Sequence, residues 1–184
     1  NTIRAFGFDA SETGRIADVM AKSFTTSALD MEKFRESMKL VAPIAKVTKV
    51  SLEESSAALA ILADRGVSGS MAGTQLRRVM SDLAGKTGKN FHDSLEITAN
   101  RLDAASTTAE KLAIAHDIVG ARANGSLIAF AQNRDALNDL KIAYEGAGGA
   151  AQKMADEQLN NLAGDITKLS SAWEGFLLSI EDGE

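Results

Sequence analysis

From Ile16 to Ile180, the apolar residues of this 184-residue chain recur mostly at steps of three and four. That spacing aligns them along one face of an α-helix. The composition agrees: 45% of residues are hydrophobic but only 5% aromatic. The apolar content is therefore mostly Ala, Leu, Ile, Val and Met, a palette suited to close helix–helix packing. A chain of this length buries one good core, or one core plus an extended appendage. The expected fold class is all-α. It divides into a compact bundle of short helices over residues 1–145 and a long, coiled-coil-like C-terminal helix over 146–184.

Cap and breaker residues place the helices. Ser11 reads as an N-cap, ahead of a stripe at Ile16, Val19, Met20 and Phe24. A second stripe runs through Met31, Phe34, Met38, Val41 and Ala45. Pro43, the only proline, should kink or end that helix near Ala42. Ser51 and Glu54 form an S-x-x-E capping box, and Gly66 stands where a left-handed C′ residue is wanted. The next helix starts at Ser68 or Ser70, turns Leu76, Val79, Met80 and Leu83 inward, and should stop at Gly85, making an antiparallel αα-hairpin. Shorter helices are expected over 94–104 and 107–119, the latter opened by a Thr107–Glu110 box and closed at Gly120. Two more are expected over 121–131 and 134–145, with a glycine-rich joint at 145–152.

The last segment is the most regular. Ala155, Leu159, Leu162, Ile166, Leu169, Trp173, Phe176 and Ile180 alternate steps of four and three. This 3.5-residue period marks a coiled-coil seam, with Leu159, Ile166, Trp173 and Ile180 at a positions and the others at d. Flanking positions such as Ala163 and Ser170 are small and uncharged, so the e/g ion pairs of a free-standing dimer are missing. Two readings stay open: a helix packed on its own domain, or one pairing with other copies as a homo-oligomer or continuing into a longer rod.

The stretch "DRGVSGSMAGTQLRR" at 64–78 raises the question of a phosphate cradle. It lacks the lysine of a P-loop, a helix rather than a strand precedes it, and Gly66, Gly69 and Gly73 miss the dinucleotide-binding spacing. The helix-corner reading gives each residue a job. Gly66 takes a positive φ, Ser68 or Ser70 caps, and Ala72 and Gly73 let two helix backbones approach. Thr74 bonds back into the preceding turn, while Leu76 and Arg77 carry the helix onward. His92 and His116 have no second His or Cys at ligand spacing, so no metal or cofactor is called for. No nucleophile elbow supports a serine triad. Glu53 and Glu54, in a helix first turn, are accounted for by the helix dipole. Arg77 and Arg78 read as a solvated face.

Charge and composition exclude further classes. The formal net charge is −5 and no Lys/Arg run would neutralise a line of phosphates, so no specific nucleic acid is expected. The longest strictly apolar runs, such as 57–63, fall far short of the roughly 20 residues that span a bilayer, so no membrane contact is expected. There is no cysteine, which removes disulfides and thiolate chemistry. The first residue is Asn1, and the chain reads as a piece of a longer protein.

The corner stretch "GVSGSMAGTQLRRVMSDL" resembles the core region of phage tail tape measure proteins, the helical rulers of long-tailed bacteriophages and prophages. That family shows a Pro-containing helix, here "VAPIA" at 41–45, then a capping start, an Ala/Leu-rich helix and the corner, here residues 51–78. Upstream, "FGFDASETGRIADVMAKSF" matches the family's entry segment with its Ala17–Asp18 pair. Downstream, "EKLAIAHDIVGARA" and the segment from Gly148 to Ile180 match the rest of the core. The departures are Lys49, where the family often has Gly, and a poor match over 86–110. The resemblance implies a non-enzymatic structural protein that sets tail length, organises tube assembly and leaves the tube during DNA ejection. Implied partners are other copies of itself and tail tube, baseplate or tail-assembly chaperone proteins. The implied location is the tube lumen of the virion, after the host cytoplasm during assembly. Two other classes remain in view: a non-catalytic helical interaction module, and a lytic or membrane-active segment. A lytic site would need paired catalytic carboxylates in a cleft.

Overall fold

The computed structural model describes residues 9–162, together with Gly164 and Ser171. It is all-α, with no strand among the described residues. After a 3-10 turn at Ala10–Glu12 come α1 (Thr13–Thr26), α2 (Met31–Thr48), α3 (Leu52–Asp64) and α4 (Gly69–Thr87). They are followed by α5 (Phe91–Asp103), α6 (Thr108–Val119), α7 (Asn124–Gln132) and α8 (Arg134–Glu145). A further helix, α9, covers residues 150–162.

The centre of the bundle is α3. Every residue from Leu52 to Ala63 is buried, polar ones included. A helix apolar all round belongs inside, and "AALAILA" leaves α3 no wet face. It touches α1, α2, α4, α7 and α8. Around it, α2 and α4 form the most extensive helix pair. The α2 stripe of Phe34, Met38, Val41 and Ala45 is fully buried, as are Leu76, Val79 and Leu83 of α4. Met31, at the start of the expected α2 stripe, is instead 57% exposed. Aromatic edges close two corners: Phe24 meets Phe34 at 5.8 Å between ring centroids, and Phe91 meets Phe130 at 6.3 Å.

Several expected boundaries move, each for a local reason. Ser11 is not the N-cap of α1. Its N–H donates to Asp9 Oδ1 at 3.0 Å within the 3-10 turn, and Glu12 takes the cap position. Pro43 does not end α2, which runs on to Thr48. The proline is exposed, so the hydrogen bond it forfeits lies on the wet side, while Val41, Ala42 and Ala45 stay packed. Gly85 does not stop α4, which reaches Thr87. The left-handed cap is Gly88, at φ 64°. α5 starts at Phe91 because Asn90 caps it, its side chain accepting from Asp93 N at 2.8 Å. α7 begins only at Asn124, after a turn over 121–123. The Thr107–Glu110 capping box forms with both halves in place.

Candidate functional site

The corner between α3 and α4 is built from backbone chemistry. Gly66 sits at φ 80°, and its N–H donates to Ala63 O at 2.9 Å. Val67 N donates to Leu62 O, also at 2.9 Å. These two bonds make a Schellman motif, with Val67 packed against the core. Ser68 occupies the N-cap of α4 in extended backbone but makes no side-chain cap bond. Ser70 is exposed. Ala72, Gly73 and Leu76 are buried, whereas Thr74 and Arg77 are exposed.

The close approach at Gly73 is to a different helix from the expected one. A Cβ there would lie 2.7 Å from Ser37 O and 2.9 Å from Ser37 Cα, so the glycine admits α2, not α3. The Ser37 hydroxyl lies 2.7 Å from Gly69 O and 2.8 Å from Lys33 O, stitching the two helices at the same level. The start of α4 is faced by a carboxylate: a Cβ on Gly69 would lie 2.8 Å from Glu36 Oε2. Asp64, the last residue of α3, accepts from Ala28 N at 2.7 Å. The carboxylate at this helix start opposes a phosphate there.

The seam residues divide. Ala155, Leu159 and Leu162 lie on α9. Ile166, Leu169, Trp173, Phe176 and Ile180 lie outside the described residues. Every residue from Ala155 to Leu162 is exposed, Leu159 at 64% and Leu162 at 58%. The start of α9 is held by Asp18 of α1. Its carboxylate accepts from Gly149 N at 3.1 Å and from Ala151 N at 2.9 Å. Asp18 thus serves as an N-terminal cap supplied from another helix, favourable also to the helix dipole. Between α1 and α9 lies an apolar groove of about 530 Å³, lined by Met20, Phe24, Leu29, Met31, Met154 and Ala155 among others.

Glu53 and Glu54 overturn a reading based on the helix dipole alone. Glu53 is buried and receives a forked Arg15, Nε to Oε1 at 2.9 Å and Nη2 to Oε2 at 3.1 Å. Only half of the Ser51–Glu54 box forms. Ser51 Oγ accepts from Glu54 N at 3.0 Å, but the Glu54 side chain turns inward. Its Oε1, with the hydroxyls of Ser55 and Ser56, is buried without a hydrogen-bond partner. Burial pushes the Glu54 carboxyl above its ordinary pKa. Lys141 and His92 pull it back, and Glu145 adds to the rise. The signal was present in "SLEESSAALAILAD": residues apolar on every side draw the polar start of the helix in with them.

Chemically the arrangement is a packing unit. Among the described residues no three His, Asp or Glu side chains gather as a metal site requires, and no helix is long and apolar enough to cross a membrane. His92 lies near Glu54, while His116 is exposed. Comparison with known proteins is specific. Residues 1–175 match the family model described as phage-related minor tail protein. A tape measure protein of Pneumococcus phage Dp-1 is 28% identical over an alignment of 204 residues, covering 98% of this chain and 18% of that protein. A probable tape measure protein of Escherichia phage P2 is 26% identical over 193 residues, covering 92% of this chain and 24% of that protein. The chain thus spans about a fifth to a quarter of the length of these relatives. No solved structure matches.

Proposed function

The chain belongs to the phage-related minor tail protein family, and on that premise we propose that it is a segment of a tail tape measure. In this reading it is a structural, non-catalytic part of a long helical ruler inside the tail tube. The whole ruler sets tail length, organises assembly of the tube and leaves during DNA ejection. The observation that carries the proposal is α9, anchored at its start by Asp18 yet exposed from Ala155 to Leu162, with Leu159 and Leu162 open to solvent. An apolar stripe left open on a helix with a 3.5-residue period is suited to pairing with another helix. We propose other copies of the chain as that partner, and tail tube, baseplate and chaperone proteins as further contacts.

The test is made in the phage that encodes the protein. Excising two heptads, 14 residues, from the segment after Ala155 would shorten a helical ruler by about 21 Å at 1.5 Å per residue. Tails measured by electron microscopy should shorten by that order. Tails of unchanged length would contradict the ruler. In parallel, the purified chain should self-associate in sedimentation, and Leu162→Asp should weaken that association. A monomer at all concentrations would exclude the seam as a contact between copies.

A further inference from the structure

Arginines cluster where α4 meets the 120–123 turn. A cleft of about 420 Å³ is lined by Arg77, Arg78 and Arg122, with the half-buried Ile44 contributing apolar surface. A second cleft of about 350 Å³ adds Arg65, and Gln75 and Arg122 line both. Arg78 pairs with Asp82 at 3.3 Å, and Asp82 is the one carboxylate lining either cleft. Arg65, Arg77 and Arg122 are exposed and make no ion pair among the described residues. Gln75, shared by the two clefts, is fixed by the Ser126 hydroxyl, which donates to its Oε1. The Arg78 guanidinium rests against the turn, Nη2 3.2 Å from where a Cβ on Gly120 would stand. Four arginines thus surround one glutamine on a chain whose net charge is −5.

We propose that this double cleft docks an acidic amphipathic helix of a partner protein. Guanidinium forks pair with carboxylates through two parallel hydrogen bonds, a geometry a lysine point charge does not offer. Glutamates four residues apart on a helix stand on one face and would meet arginines on both sides of Gln75. The apolar edge of the same helix would cover the half-buried Ile44 and Val67. A nucleic acid fits less well, because the net charge of −5 repels phosphate at longer range. The inference does not depend on the seam, and self-association leaves it untouched.

The test uses the 184-residue chain and a fluorescein-labelled helical peptide carrying Glu at i, i+4 beside a Leu stripe, followed by anisotropy. A DNA duplex of equal charge is titrated in parallel. The expected result is saturable, salt-sensitive peptide binding, at least tenfold weaker for the Arg77→Glu, Arg122→Glu double variant. Arg101→Glu, at an exposed arginine outside both clefts, should bind as the parent does. The helical circular dichroism melt of each variant reports folding, and Arg77→Gln with Arg122→Gln replaces the double variant if it fails to fold. Absence of saturable peptide binding, equal loss in Arg101→Glu, or tighter binding of the duplex would each overturn the proposal.

Discussion

Lys49 ends α2 at φ 57° and ψ 31°, the one non-glycine residue with positive φ among the described residues. Its N–H and that of Val50 both donate to Ala45 O, so the left-handed turn is what closes the helix. A β-carbon in that conformation costs about 1 kcal/mol. This is also the position where the resemblance expects glycine. Lys49→Gly should therefore stabilise the chain by about 1 kcal/mol, or about 2–4 °C in Tm for a chain this size. Glu54 is strained in another way, as a carboxyl shut inside without a partner for Oε1. Its folded pKa is raised, so the folded state holds the proton to higher pH than the unfolded chain does. Its favourable contribution is complete below the ordinary glutamate pKa and is lost as pH rises through the folded value. Lys49, His92, Asp93, Lys141 and Glu145 share its cleft and set the local field. Urea titrations across pH should show Glu54→Gln more stable than the parent at neutral pH, with the advantage shrinking toward pH 4. A constant difference would mean that the Glu54 charge is not the cause.

Among the elements, α2 and α4 make the sharpest case, since their separation at Ser37 leaves no room for a methyl group. Gly73→Ala puts a carbon 2.7 Å from Ser37 O, where backbone has to move, and should cost about 1–3 kcal/mol. Gly85, in the same helix, has nothing within 4 Å of its would-be Cβ, so Gly85→Ala should gain about 0.5–1 kcal/mol. Thermal melts of the pair should move in opposite directions. Sequence reading succeeded where a signal is local. The Thr107 box, the Gly66 C′ residue and the apolar stripe of α4 depend on neighbours within one turn. It failed where a distant element decides. Nothing near Gly73 says that α2, thirty-odd residues earlier, passes against it. At Gly85 the error was local: Gly88, three residues on, takes the left-handed cap instead. Glu53 and Glu54 look like surface dipole partners until α3 is seen to be enclosed by five other helices.

At the scale of the molecule, α1 and the start of α9 are tied side by side. Asp18, the sixth residue of α1, holds Gly149 and Ala151. Asp18→Ala should release the start of α9 while leaving α3 closed. Hydrogen exchange would then quicken at residues 149–153 and stay slow across Leu52–Ala63, and slowing or uniform change would contradict this. Of the seam expected from the sequence, Ala155, Leu159 and Leu162 lie among the described residues, and Leu159 and Leu162 are exposed there. The arrangement at Asp18 also has a mechanical meaning. On the tape measure reading, a pull that entered at α1 and left at α9 would be shared by the two adjacent hydrogen bonds at Asp18. On that reading, the 130 residues between Asp18 and Gly149 hang as a bead beside the line of tension. They add width to the ruler at that point and almost nothing to its contour.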